Sequence, residues 1–445
     1  MHKVSKLSVI FKDFFIKKAN SLSHITGFIK RNRKLTGSSF IKTLVLGNMG
    51  GTDLSLENMC SLLHEDHVNI TNQGLYLKFN SNSVTFMQVM YKECLQIFKS
   101  RLRLDCKILE QFNSVRLLDS SQIALPNSME SIYKGCGSSY KGRPNKAKSS
   151  IKLQVLFDYL NQRVDRLEVT EGIRSDQGYR NYLEDIKSND LLLADLGYFV
   201  PNSFKQINET GAYFISRYKS DTNIYDTHNE SKIDLITLLD QKIFLEKEVL
   251  LGKELKLPVR MICHKLTGEQ SFKRRRKANM LAKSRGYTSS QRNQRLLDWT
   301  IMITNIPVSK IASEYIRSIY RVRWQIELLF KLYKSHVRLE SIKGKINSAR
   351  ILCELYAKFC VILIFHGIVS CIKLEPDREI SLTKALIELK KRSKELFGIV
   401  NNRLDDLQYF FKKLFLNWSI FCLKDKYIKK RISTLNMIKK IAINP

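Results

Sequence analysis

Between residues 114 and 219 the chain sets out an ordered succession that few folds can accommodate. Ser114–Leu125, Ile151–Tyr159, Val164–Thr170, Asp190–Tyr198 and Tyr213–Lys219 are short β-favouring runs. A helical stretch, Gly178–Ile186, precedes the fourth run, and another, Ser203–Thr210, precedes the fifth. Three strands, a helix, a strand, a helix and a strand predict a mixed sheet with helices packed on it.

The flanks read differently. Residues 1–110 are expected to be helical, because Phe11–Ala19, Leu54–Leu63, Asn72–Phe79 and Ser83–Phe98 place apolar residues mostly three and four apart. Basic links such as Lys30-Arg31-Asn32-Arg33-Lys34 join them and suit a duplex-binding module, although a generic helical bundle fits almost as well. The segment 111–220 holds the five strands. Residues 221–307 alternate irregularly, with strands expected at Val259–Leu266 and Trp299–Ile306 around the basic run Lys273, Arg274, Arg275, Arg276, Lys277. This reads as an inserted β-rich unit with its own sheet. Residues 308–375 and 376–445 are expected to be helical, and the last of these carries 16 Lys and Arg against 7 Asp and Glu.

Charge narrows the partners. The 445 residues contain 75 Lys and Arg against 42 Asp and Glu, a formal charge of +33. Such an excess repels itself unless a polyanion is near, so nucleic acid is the first candidate and an anionic membrane surface the second. Spanning a membrane is not expected. The most apolar segment, Ile351–Leu374, has only 14 uncharged residues in a row, Phe359–Ile372, against the ~20 that a spanning helix needs. It reads as a buried core helix, and no signal peptide is evident at the N-terminus. Nine scattered cysteines without a Cys-x-x-Cys pair fit reduced, cytoplasmic thiols.

Chemistry concentrates on carboxylates. On a helix at about 100° per residue, Tyr320, Arg323, Glu327 and Lys334 fall within an arc of roughly 60°. Arg323, Glu327 and Lys331 are also i, i+4 neighbours, the pattern of an ordinary salt-bridged helix face. Asp119 stands in the strand-like run Val115–Leu125, where aspartate is disfavoured and asks for a partner. Asp195 ends the apolar run Leu191–Ala194, at the kind of strand terminus where α/β sheets place ligands. Either aspartate alone reads more readily as a turn or strand-end cap than as a ligand.

Taken together, Asp119, Asp195 and Glu327, with Tyr-x2-Arg-x3-Glu-x6-Lys around the glutamate, resemble the bacterial insertion-sequence DDE transposases that bear the YREK signature. Leu191–Tyr198 resembles the family's segment around its second aspartate, and Trp299–Pro307 the strand that closes its inserted domain. The resemblance covers residues 110 to 340 well and the N-terminal region loosely. Two positions depart from it: Leu196 follows the second aspartate, where the family often has arginine, and Ser120-Ser121 follow the first.

The resemblance implies an α/β chain with a ribonuclease H-like core, a mixed five-stranded sheet interrupted by the β-rich insertion and flanked by helical N- and C-terminal regions. It implies Asp119, Asp195 and Glu327 as catalytic metal ligands for two Mg²⁺ ions, with Mn²⁺ able to substitute. Tyr320, Arg323, Lys334 and the basic run 273–277 would contact DNA. The implied activity is cleavage of the element's ends and their joining to target DNA by a homodimer in the bacterial cytoplasm, associated with the nucleoid. A related nuclease without strand joining, and an inactive copy that only binds DNA, are the alternative readings. Other signals are weak. Gly137–Pro144 echoes a phosphate loop without its Lys-Ser/Thr end, His64 and His67 lack further zinc ligands, and Trp299 reads as core.

Overall fold

Strand β1, Val115–Ala124, organises the molecule because it is paired along both edges. The computed structural model describes residues 2–31, 34–51, 54–98, 104, 106–137, 147–284, 286–341, 347–374 and 378–424. Asn32 and Arg33 of the first basic link, residues 138–146 of the glycine-containing loop and the terminal segment 425–445 lie outside them.

The N-terminal region is helical as expected. It includes α1, Gly37–Gly50, and α2, Ser81–Ile97. After β1 come β2, Ser150–Asp158, β3, Arg163–Glu171, and β4, Leu191–Ala194. Helix α3, Pro201–Glu209, leads to β5, Tyr213–Arg217, and β6, Ile224–Asp226. Then follow β7, Phe244–Leu251, β8, Leu257–Lys265, helix α4, Gly268–Ser284, and β9, Trp299–Thr304. Helices α5, Ser313–Tyr320, α6, Trp324–His336, α7, Ser348–Val369, and α8, Leu404–Phe421, complete the part used below.

All nine strands form one sheet in the order β3-β2-β1-β4-β5-β9-β8-β7-β6. β1, β2 and β3 pair antiparallel, whereas β1, β4 and β5 run parallel. β4 is four apolar residues, all buried, as a parallel strand covered on both faces requires. The mixed sheet with helices is therefore the architecture. The inserted unit has no sheet of its own: β9 pairs with β5 and with β8, so strands β6–β9 continue the core sheet. The reason is the exposed edge that β5 would otherwise leave, a row of unpaired backbone groups that a returning strand satisfies. Between β3 and β4 the expected helix is reduced to two short 3₁₀ turns, Asp176–Gly178 and Asn181–Asp185.

Pleating sorts the strand residues onto two faces. Leu117, Leu193, Ile215, Ile262 and Met302 point to one face, where α5, α6 and α7 cover them. Leu118, Leu192, Phe214 and Ile303 point to the other, packed with Phe204 of α3. Helix α7 is the one described helix long and apolar enough to cross a membrane, and 89% of its most apolar window is buried inside the protein. It is the core helix that its interrupting charges imply: Lys358 and Glu354 are buried and paired at 3.0 Å.

A buried hydrogen bond of 2.8 Å joins Tyr333 of α6 to His366 Nε2 of α7. Burial pushes His366 down to about 4, against 6.5 for a free imidazole. Between these values the unfolded chain carries a proton that the folded chain excludes, so acidification favours unfolding. Stability is expected to fall by roughly 3 kcal/mol across that interval from this residue alone. Denaturation midpoints of His366→Phe, measured from pH 7 to 4, should lack that component of the slope.

Candidate active site at the sheet edge

Parallel register brings the two aspartates together. The last registered pair of β1 and β4 is Leu118 with Ala194, so Asp119 and Asp195 follow as neighbours on adjacent strands, roughly 5 Å apart along the backbone. Both share the pleat of Leu117 and Leu193 and so face the helices. β5 adds a third member: Leu193 is opposite Ile215, and two residues on, Arg217 Nη2 donates to Asp195 Oδ1 at 2.7 Å.

The glutamate arrives from above. Tyr320 ends α5, residues Arg321–Arg323 make a 3₁₀ turn, and α6 then carries Glu327 and Lys334. The signature residues thus do not lie on one continuous helix, and the tighter turn changes their spacing around the axis. Tyr320 donates its hydroxyl to the carbonyl of Ala194 at 3.1 Å, the residue before Asp195. Arg323 spans the site, with Nη2 2.7 Å from Glu327 Oε1 and Nη1 3.5 Å from Asp119 Oδ2. Asp119, Asp195, Glu327, Tyr320 and Arg323 are therefore assembled at one edge. Lys334 reaches β1 farther along, donating to the carbonyl of Gln122 at 3.0 Å and pairing with Glu340 at 2.8 Å.

The two aspartates are shifted in opposite directions. Burial pushes Asp119 up to about 6, and the negative charges of Asp195 and Glu327 add to the rise, against the Ser120 N–H and Arg323. Burial acts in the same direction on Asp195, but Arg217 and Arg323 outweigh it and hold Asp195 below its ordinary range. Arg217 thus supplies the cation that Leu196 cannot. The sequence signal for it was slight, a lone arginine closing a strand.

Among the described residues no group of three His, Cys, Asp or Glu side chains stands ready to enclose an ion, because Arg323 occupies the space between Asp119 and Glu327. The donor chemistry nonetheless fits a divalent cation. Three carboxylates supply hard oxygen ligands, two on neighbouring strands just past the last β1–β4 pair and one a single guanidinium away. Asp119, raised chiefly by burial and further by Asp195 and Glu327, has an environment in which a bound cation would favour its ionised form. His64 and His67 belong to no such group among the described residues.

The basic run is helical, lying on α4, and its members diverge. Lys273 pairs with Glu269 at 2.5 Å and Arg275 with Asp298 at 2.5 Å. Arg274 turns back to the sheet, donating to the Trp299 carbonyl at 2.9 Å and to Thr300 Oγ1 at 3.1 Å. Arg276 is exposed beside Phe272, Met280 and Lys283, around an open surface hollow, and Lys277 is exposed as well. Trp299 is buried in the sheet, as its strand position implies.

Comparison with known proteins identifies the family. Residues 110–364 match the family model described as the transposase DDE domain. A transposase for insertion sequence element IS231B of Bacillus thuringiensis subsp. berliner is 26% identical over 418 residues, covering 87% of this chain and 85% of its own. A transposase for insertion sequence element IS1151 of Clostridium perfringens is 28% identical over 469 residues, covering 98% and 97%. Among solved structures, a piggyBac transposase synaptic complex with hairpin DNA aligns over 95% of this chain and 87% of its own, at 11% identity and a TM-score of 0.41, too slight a likeness to argue from.

Proposed function

The chain belongs to the transposase DDE-domain family, that of bacterial insertion-sequence transposases, and from that premise we propose that Asp119, Asp195 and Glu327 are its catalytic carboxylates. The observation that carries this reading is the adjacency of Asp119, midway along β1, and Asp195, just past the end of the parallel β4, with Arg323 tying Glu327 to the same place. We read the five strands β3-β2-β1-β4-β5 as a ribonuclease H-like core and β6–β9 as its insertion.

The family's chemistry depends on divalent metal, and two Mg²⁺ ions, or Mn²⁺ in their place, are the ions we assign. When bound they supply activation of a water or 3′-hydroxyl and stabilisation of the leaving oxygen. Asp119, Asp195 and Glu327 would hold them. The residues around them do the rest. Arg217 keeps Asp195 ionised and oriented. Tyr320 fixes the Asp195 turn through the Ala194 carbonyl. Arg323, once released from the carboxylates, would present its fork to a phosphate, a task for which guanidinium geometry is suited. Lys334 and the exposed members of the 273–277 run would hold the DNA backbone farther out. Two copies, one on each element end, would act together on target DNA.

Joining separates this reading from simple nuclease action. A duplex of the DNA bordering the reading frame, pre-cut to leave a free 3′-hydroxyl, is expected to be joined to plasmid DNA only when Mg²⁺ or Mn²⁺ is present. Cutting of the uncut duplex without any joined product would overturn the strand-transfer half of the proposal.

A further inference from the structure

Strand pairing between β1 and β4 stops one residue short of the carboxylates. Leu118 and Ala194 are the last registered pair, and after Asp195 the chain turns away into the 3₁₀ turn Leu196–Tyr198. The register therefore ends before Asp119 and Asp195, and other contacts must hold their separation.

Those contacts lie on the opposite face of the sheet. Ser120 shares the pleat of Leu118 and points away from α6, as does Gln154, its registered partner on β2. The Ser120 N–H donates to Asp119 Oδ1 at 2.8 Å, and its hydroxyl donates to Asp176 Oδ1 at 2.9 Å. Asp176 opens the first 3₁₀ turn between β3 and β4, capped by Ser175. Lys152 of β2 donates to the same Asp176 oxygen at 2.9 Å and to the Arg174 carbonyl at 2.7 Å. The second Asp176 oxygen faces the other limb of the site. A methyl placed on Gly197 would lie 3.4 Å from Asp176 Oδ2, so little more than that group's width separates Asp176 from the turn after Asp195. Tyr198, the next residue, is buried and donates its hydroxyl to Gln154 Oε1 at 2.6 Å.

An ordinary half-exposed ion pair, as Lys152 and Asp176 would be by themselves, contributes little. Asp176 differs in taking a hydroxyl from the residue beside Asp119 while lying against the turn that carries Asp195. We propose that Asp176 is a positioning residue for the carboxylate site, clamping Ser120 and the 195–198 turn from behind the sheet so that Asp119 and Asp195 present their oxygens to divalent metal at a fixed separation. This rests on the carboxylate reading above. Coordination distances tolerate only about 0.2 Å, so the separation of two ligands matters to the ion they hold. Groups that orient ligands from outside the coordination sphere change metal affinity by about 10–100-fold.

The test titrates Mn²⁺ into the full chain without DNA and follows the free ion by electron paramagnetic resonance. Asp176→Ala is expected to weaken binding by about 10–100-fold. Ser120→Ala removes one hydroxyl from β1 and should weaken it in the same direction, which keeps the measurement available if Asp176→Ala does not fold. Asp176→Asn retains an oxygen that can accept from Ser120 and Lys152, and should recover most of the native affinity. Cleavage of the border duplex supplies a second readout. Asp176→Ala should need more Mn²⁺ for its half-maximal rate yet approach the native rate at saturation, a split that loss of folded protein would not produce. Glu184→Ala is the control: it removes the 2.8 Å pair with Arg166 on the second 3₁₀ turn, leaves Ser120, Asp176 and Gly197 untouched, and should bind Mn²⁺ as the native chain does. Native affinity in both Asp176→Ala and Ser120→Ala would overturn the clamp. Failure of the carboxylate reading is separately visible, as an Mn²⁺ site left intact in Asp119→Asn.

Discussion

Replacing Glu327 by alanine is expected to lower metal-dependent cleavage of the border duplex by roughly three orders of magnitude or more, since a lost ion removes several kcal/mol of transition-state stabilisation. The fold should survive, because the Glu327 side chain is 30% exposed and its one strong partner is Arg323. Binding of DNA without metal is expected to hold or to tighten slightly, as Arg323 loses one of its two carboxylates and becomes available to phosphate. That pairing of outcomes, cleavage lost and binding kept, separates a metal ligand from a structural salt bridge. An ordinary i, i+4 bridge on a helix contributes about 0.3–0.5 kcal/mol, and its removal would leave cleavage nearly untouched. Gel quantification of cut product in Mg²⁺, beside fluorescence anisotropy in EDTA, checks both. Full activity in Glu327→Ala would end the carboxylate assignment.

Some of this edge could be read from residues alone. Asp119 was visible because an aspartate inside a strand run needs a reason, and Asp195 because it closes an apolar run. Their adjacency was not visible, since it depends on β1 and β4 pairing in parallel with a particular register. Arg217 was hidden for the same reason: nothing local distinguishes an arginine that ends a strand from a solvated one. Strand β7 escaped notice because Phe244–Leu251 is largely half-buried and charged, without a clean alternation. Helix α1 escaped for the opposite cause. Nearly all its residues are buried, including Lys42, so no polar stripe marks its period. Strand partners are chosen by distant chain segments, which explains why the insertion's own sheet was expected and a continuous one exists.

The largest stability effect is expected at Arg116, three residues before Asp119 on β1. Its guanidinium is buried and bonds Asp190, just before β4, at 2.9 Å and Asp165 of β3 as well. Asp158 of β2 is fully buried nearby and is joined to the group through Arg163, 3.5 Å away. Arg116, with Arg163 beside it, thus ties β1, β2, β3 and the start of β4 together at the end opposite the active edge. Arg116→Met keeps the length of the side chain and removes the charge, leaving carboxylates buried without their partner. Breaking a buried pair from one side costs about 3–5 kcal/mol. The pH dependence supplies an internal check. Burial already raises Asp165, and Arg116 and Arg163 restrain that rise, so loss of Arg116 lifts it further. The folded variant would then bind a proton that the unfolded chain has released, and its stability rises relative to the native protein as pH falls. Urea denaturation should show the widest gap near pH 7 and a narrower one near pH 5. A gap below about 1 kcal/mol at neutral pH would mean that the cluster is hydrated enough to dispense with its cation. β1 would in that case be aligned by its apolar pairing with β2 and β4, and the position of Asp119 would owe little to the buried charges beneath it.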